Sequence, residues 1–304
     1  MKPLKLSSGD LLADRRADYA EMLFSTGDVA AAFEPLRDAL ELAPDWAMGW
    51  YRLGEMLEAA GMPEQAAEAW RRTLALEPDD RPGAALKLEL IGQAPPSSAP
   101  PGGYVEALFD SYARTFETSL VQKLVYRVPE LVLAAIEARG VRRFRRAIDL
   151  GCGTGLMGAA LRPFVDRLDG CDISSSMLRK AEAKAIYDRL EKADLQTLSI
   201  EPMSVDLVVA ADVFLYVGAL ERIMATVAAG LAPDGLFAFS VEKHEGPRDM
   251  ALRPSRRYAH SQAYLRRVVE AAGMEVASMQ TAVIRMDRGE PIEGLIVVAA
   301  FPSP

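Results

Sequence analysis

The 304-residue sequence predicts an α/β domain with a mostly parallel sheet, preceded by a smaller all-helical domain. Three observations carry this. From about residue 104 onward, β-branched runs alternate with amphipathic segments, the pattern of parallel strands wrapped by helices. One of those runs, "AIDL" at 147–150, passes straight into the glycine-rich turn "GCGTGLMG". The stretch before residue 93, by contrast, reads as helical throughout and repeats with a period of 34 residues.

The repeat is visible in its punctuation. Pro44 and Pro78 are each followed by Asp and preceded by "ALELA" or "LALE". The same register pairs Tyr19 with Leu53, Ala20 with Gly54, Leu23 with Leu57, Gly27 with Gly61, Ala32 with Ala66, Leu36 with Trp70 and Leu40 with Leu74. In the second unit, "WYRLGEMLEAAGMPEQAAEAWRRTLALEP", Trp50, Leu53, Gly54, Ala66 and the closing proline make the tetratricopeptide pattern. The small residues let two helices approach. The proline stops the second helix because it lacks an N–H and clashes with the preceding turn. In the first unit Arg16 stands in place of the aromatic. Two such units cannot bury a solenoid core alone, so 81–92 is expected to form a capping helix. The domain is expected to self-associate or to dock a protein partner. No set of basic residues that would clamp a peptide carboxylate is visible on its first helices.

"QAPPSSAPPGG" at 93–103 has the composition of a linker. The expected domains are therefore 1–93, a linker at 94–103, and 104–304. In the last, "RAIDLG", "RLDGCDI", "VDLVVAAD" and "GLFAFSVE" read as parallel strands. "ASMQTAVIRM" and "GLIVVAAF" lie close together near the C-terminus and suit a hairpin, hence an antiparallel edge.

The glycine turn admits two registers. Gly153, Gly155 and Gly158 fit the dinucleotide fingerprint; Gly151, Gly153 and Gly155 give a different turn with an aspartate two residues before it. The strand ends directly at Gly151, which favours the second. Asp149 then sits at the strand tip, where it would repel a phosphate and welcome a cationic or amine-bearing ligand. Asp172 ends the next strand, placed to accept hydrogen bonds from ribose hydroxyls. The acid pair around the turn points to a nucleoside without phosphates that carries positive charge, and S-adenosylmethionine fits.

On these residues the chain resembles the class I S-adenosylmethionine-dependent methyltransferases. "IDLGCGTGLMG" is similar to their first motif and "DGCDISSSML" to their second. "KADLQTL" resembles their adenine loop, "VDLVVAADVFLYV" their fourth-strand motif, and "LAPDGLFAFSVE" the turn and strand after it. The whole chain is similar to a bacterial group with N-terminal tetratricopeptide repeats. The resemblance implies a Rossmann-like methyltransferase fold, a mostly parallel seven-stranded sheet with an antiparallel C-terminal hairpin. It also implies a cofactor site. Gly151, Cys152, Gly153 and Gly155 bring backbone close to the cofactor, and Asp149 faces the methionine moiety. Asp172 holds the ribose, with Ile173 and Met177 beside it. Asp194 and Leu195 bracket the adenine. Ala211, Asp212 and Phe214 border the sulfonium. The aromatic segment 104–128 precedes the first strand, where this fold places a lid, so Tyr104 or Tyr112 is expected to close over the cofactor. Cys152 is expected to be a small turn residue, not a nucleophile.

Candidates for a catalytic base are His244, just past "GLFAFSVE", and His260, at a helix start capped by Ser261, with Glu242 as a third. The expected acceptor is a small molecule; a docked protein acceptor, or a binding protein without catalysis, are the alternatives. No metal is expected. A net charge of −8 speaks against nucleic acid as a partner, and the basic cluster "RRFRR" at 142–146 is expected to be a solvated loop. There is no apolar run long enough to span a membrane and no apolar leader at the start. Cys152 and Cys171 are too few for a disulfide framework, so free thiols and a reducing cytoplasm are expected.

Overall fold

A computed structural model describes residues 6–113, 125–140, 143–287 and 289–302. The chain divides into two compact units between Ala107 and Leu108.

The first unit is helical: α1 (Leu11–Ser25), α2 (Val29–Leu42), α3 (Ala47–Ala59), α4 (Pro63–Leu76) and α5 (Ala84–Leu90). Side-chain carboxylates start three of them. Asp10 accepts from the amides of Leu12 and Ala13, Asp28 from Ala31, and Asp80 from Ala84 and Ala85. Pro63 opens α4 where its missing N–H costs nothing. Gly54 shows why α3 and α4 lie so close: a Cβ there would stand 2.3 Å from the Trp70 ring. Trp70 is wholly buried and donates its indole N–H to the Tyr51 carbonyl at 3.1 Å. The expected cap is α5. The linker is one residue pair shorter than expected, because α6 (Gly102–Tyr112) already begins at Gly102.

The second unit is built on one sheet. Its elements are α7 (Val128–Glu137), β1 (Phe144–Leu150), α8 (Leu156–Leu161), β2 (Val165–Asp172), α9 (Ser175–Glu182), β3 (Arg189–Lys192), β4 (Val205–Ala210), α10 (Glu221–Gly230), β5 (Leu231–Lys243), β6 (Met250–Leu252), β7 (Tyr258–His260), α11 (Gln262–Ala271), β8 (Glu275–Asp287) and β9 (Glu290–Ala300). Strands β3-β2-β1-β4-β5 run parallel in that order. β9 pairs antiparallel with β5, and β8 with β9, which is the expected hairpin edge. This makes seven strands. The sheet has nine among the described residues, because a short β6–β7 ribbon joins β5 at Glu242 and Lys243.

Alternate residues of β4 enter different cores: Val205, Val208 and Ala210 pack in one with α10 and α11, and Leu207 and Val209 in the other with α7 and α8. A strand buried on both faces reads as the continuous apolar run "VDLVVA". The basic cluster is not a loop. Arg143 pairs with Asp166, Arg146 with Asp169 and Arg145 with Asp206 at the start of β1, so its charge is neutralised within the fold; Arg142 lies outside the described residues.

Candidate functional site

The carboxyl ends of β1, β2, β3, β4 and β5 share one edge of the sheet, where ligands bind in open α/β folds. The glycine turn leaves β1 there. Gly151, Gly153 and Gly155 all have positive φ, at 63°, 54° and 88°. At Gly151 a Cβ would also stand 2.6 Å from Val213, so the turn after β1 and the loop after β4 touch only because that side chain is absent.

Asp149 and Asp172 flank this turn, as expected. Asp149 is 1% exposed, and its Oδ2 accepts from the Tyr187 hydroxyl at 2.7 Å while Oδ1 is buried without a partner. Burial lifts its pKa from 3.8 to about 7. Thr154 Oγ1, inside the turn, is likewise buried and unpartnered. Asp172 accepts from the Gly153 amide at 2.9 Å and from the Ser174 amide at 2.8 Å. It thus braces both the glycine turn and the start of α9. Each oxygen takes one bond and retains a lone pair for a further donor. Ile173, next along, is half-buried. Asp194 follows β3, its Oδ1 accepting from the Gln196 amide at 2.8 Å, and Leu195 packs toward the sheet core.

Several expected site residues lie elsewhere. Tyr104 belongs to the first unit, where it is 4% exposed and its ring packs on Gly83. Tyr112, the last residue of α6, is 42% exposed. The residues of α6 that meet the cleft are Phe109 and Asp110. Phe109 stands edge-on to Tyr216 with centroids 5.0 Å apart. Asp110 Oδ1 accepts from the Ser174 hydroxyl at 2.6 Å and the Ser176 amide at 3.1 Å. Phe116, in the aromatic segment 104–128, lies outside the described residues. Met177 is wholly buried and packs α9. Phe214 is wholly buried between Phe237 and Phe239, two aromatics that β5 points at it, and so is core.

The loop after β4 is held by charge. Ala211 is half-buried. Asp212 adopts φ +60°, and its amide donates to Ser240 Oγ at 2.8 Å. Both its carboxylate oxygens accept from Arg285 Nη1, at 2.7 and 2.9 Å, while Arg285 Nη2 donates to Glu242. Arg285 and Glu242 are each 2% exposed. Asp212 and Glu242 are therefore spent on a buried guanidinium, and Glu242 is not a free base. Arg257 donates from Nε to the Tyr216 hydroxyl at 3.1 Å.

His260 is pinned as well. Its Nε2 donates to the Gly218 carbonyl at 2.7 Å, its ring stacks on Tyr264, and burial pushes its pKa down to about 4. It is neutral and fully enclosed, which removes it as a base. His244 is half-buried, beside Gly246, with Nε2 unpartnered. Cys152 and Cys171 are free and 5% exposed, and burial raises both thiols, Cys171 to about 12. Such thiols are inert, which fits Cys152 as a turn residue. No group of metal-binding side chains occurs among the described residues.

Tyr187, Asp110 and Arg285 were not singled out in sequence. A tyrosine in "KAIYDRL" gives no local hint that it reaches Asp149, thirty-eight positions earlier.

Residues 148–239 match the family model described as a methyltransferase domain. The chain is 38% identical over 101 residues to the probable S-adenosylmethionine-dependent methyltransferase CRG1 of Saccharomyces cerevisiae, covering 30% of this chain and 34% of that protein. It is 33% identical over 141 residues to malonyl-[acyl-carrier protein] O-methyltransferase of Geobacter sulfurreducens, covering 44% and 48%. The chain thus spans a third to a half of the length of these curated relatives. Among solved structures, 1,6-didemethyltoxoflavin-N1-methyltransferase of Burkholderia thailandensis, with 1,6-didemethyltoxoflavin and S-adenosylhomocysteine bound, superposes with a TM-score of 0.54 at 18% identity, over 69% of this chain and 94% of that one. Residues 148–239 are thus similar to methyltransferase domains, and the second unit shares the fold of a solved methyltransferase structure.

Proposed function

We propose that this chain is an S-adenosylmethionine-dependent methyltransferase acting on a small-molecule acceptor. Its N-terminal helices act as accessory tetratricopeptide repeats for self-association or partner docking. The observation that carries the first part is Asp149. A buried carboxylate with one unpartnered oxygen, at the mouth of a glycine turn, is hostile to phosphate and calls for a donor or a positive charge. The α-ammonium of the cofactor, directly or through water, meets that need. Gly151, Gly153 and Gly155 present backbone, Asp172 takes the ribose hydroxyls, and Asp194 with Leu195 borders the adenine.

When bound, the cofactor supplies an electrophilic methyl group on a sulfonium. The protein's part is position and exclusion of water. Phe109 on Tyr216 and Asp110 on Ser174 tie α6 to the loops after β4 and β2. A helix held against both loops supports a small acceptor over a folded protein. His244 is the remaining base candidate for a nucleophile that arrives protonated. By their names, the relatives above methylate an oxygen of malonyl-acyl carrier protein and a nitrogen of 1,6-didemethyltoxoflavin, so the acceptor atom is not inherited from them.

Calorimetry tests the cofactor. S-adenosylmethionine and S-adenosylhomocysteine are expected to bind, and NAD is not. Asp172→Ala weakens binding by about tenfold or more, since charge-assisted hydrogen bonds are lost. Tight NAD binding with no S-adenosyl affinity would defeat the reading.

A further inference from the structure

Among the described residues, the 34-residue register of the first unit leaves one helix face open. In α3, a Cβ on Gly49 would stand 2.8 Å from Leu40 of α2, so this face receives the preceding helix. Leu53 and Met56 continue the same face and are 4% and 0% exposed. One register earlier, on α1, the corresponding residues are Arg15, Tyr19 and Met22. Tyr19 and Met22 are 52% and 51% exposed, with Leu11 and Leu12 at 70% and 51% beside them. At 3.6 residues per turn these side chains and Asp18 share about a third of the helix circumference, opposite buried Ala13, Ala17 and Ala20. Arg15 and Asp18 are exposed in the middle of the stripe and have no ion-pair partner among the described residues.

We propose that α1 of a second copy of the chain closes this face, lying antiparallel across a two-fold axis. Two pairs of residues on the stripe share one midpoint. Arg15 and Asp18 are equidistant from the point between Arg16 and Ala17, and so are Leu11 and Met22. An antiparallel pair centred there sets each Arg15 opposite Asp18 of the other copy, and each Leu11 opposite Met22 of the other copy. A two-fold interface must be complementary to itself, and these two pairs meet that condition in charge and in apolarity, with Leu12 opposite Glu21 and Tyr19 opposite Asp14 on the flanks. Arginine at the position where α3 carries Gly49 keeps two α1 helices further apart than α2 and α3, the spacing an ion pair with a long arginine side chain needs. The inference rests on the accessory role proposed for these helices. Its test uses neither cofactor nor acceptor, so its failure and the failure of the enzymatic reading are separate results.

Sedimentation of the full chain at micromolar concentration is expected to give twice the mass of the chain. Met22→Glu and Arg15→Asp are each expected to weaken the dimer roughly tenfold or more, since the first places two unpaired charges in the interface and the second sets two pairs of like charges against each other. Far-ultraviolet circular dichroism should stay unchanged, because both side chains are exposed in the single chain. Arg15→Asp combined with Asp18→Arg should restore the dimer, as the exchanged pair is complementary again. A monomeric wild type overturns the proposal, as does a dimer indifferent to Met22→Glu. A double variant as weak as the single variants overturns the antiparallel arrangement.

Discussion

The Tyr187 hydroxyl donates a 2.7 Å hydrogen bond to Asp149, and the ring that carries it lies over three glycines. A Cβ would stand 3.0 Å from that ring at Gly155, 2.8 Å at Gly170, and 2.2 Å from the hydroxyl at Gly158. Gly158 therefore matters for a reason the dinucleotide register did not supply: it makes room for the group that holds Asp149. Tyr187→Phe keeps the ring and removes the donor, leaving both carboxylate oxygens buried without a partner. The expected cost is about 1–3 kcal/mol of unfolding free energy, read by urea denaturation. A variant as stable as the parent would mean the hydroxyl contributes nothing to holding the acid.

The raised pKa of Asp149 sets a pH dependence with a definite sign. The unfolded carboxyl ionises near 3.8, and the folded one keeps its proton until about 7. Over that interval the folded state binds more protons. The stability this group contributes is whole below the unfolded value, declines as pH rises, and is gone once pH passes about 7. Other groups titrate in the same range, so the informative comparison is with Asp149→Asn, which lacks the step. In the cofactor-free state, the melting temperature of the parent should fall more between acid and neutral pH than that of the variant. Cofactor affinity should move the other way. It should rise with pH up to about 7 and then level, because an ammonium prefers the ionised acid. Parallel melting profiles for the two proteins would refute the assignment.

Arg285 reaches from β8 to satisfy two carboxylates on other strands and loops, Asp212 and Glu242. Removing the guanidinium alone leaves Asp212 without its partner and the buried Glu242 with Arg253 at 3.5 Å as its remaining one. Arg285→Met should cost about 3–5 kcal/mol, while the triple variant Arg285→Met, Asp212→Asn, Glu242→Gln should recover most of it, because no unpaired carboxylate remains. Equilibrium unfolding of the two variants separates the cases. Equal losses in both would show that shape, not charge, is what Arg285 supplies.

The contrast between these residues and the glycine turn shows which features a sequence displays. Asp149, Gly151, Gly153 and Gly155 are contiguous and obey one local rule, a strand that ends and a backbone that turns. Asp172 follows the same rule on the next strand, and the six longer strands announce themselves by strand-like runs. Arg285 and Asp212 are seventy-three positions apart, and nothing local marks them as partners. Phe214 looked like a cleft residue because it follows β4; Phe237 and Phe239, from β5, enclose it. Tyr104 lies on a helix whose aromatic spacing is plain, but spacing does not say which core it enters, and Gly83 of the first unit takes it. The β6–β7 ribbon has strands of three residues each, too short for any alternation to register. It also carries His260, the last residue of β7.

Asp110 offers the most direct test of how the cleft closes. Its carboxylate joins α6 to the hydroxyl of Ser174 and the amide of Ser176, immediately after Asp172, the proposed ribose acid. Its neighbour Phe109 rests on Tyr216 across the cleft. If α6 gates the cleft, it must loosen at these ties for a nucleoside to leave. Asp110→Ala removes two hydrogen bonds to a charged acceptor, each worth about 1.5–3 kcal/mol. The effect should fall on release of the cofactor more than on its capture, since most changes to a bound complex appear in the dissociation rate. Stopped-flow measurement is expected to show S-adenosylhomocysteine leaving roughly tenfold faster or more, with the association rate changed much less. Asp110→Asn, which still has a carbonyl oxygen to accept from Ser174, should lie between the two. An unchanged dissociation rate in Asp110→Ala would show that α6 does not gate the cleft, and that Asp110 serves only to anchor the start of α9.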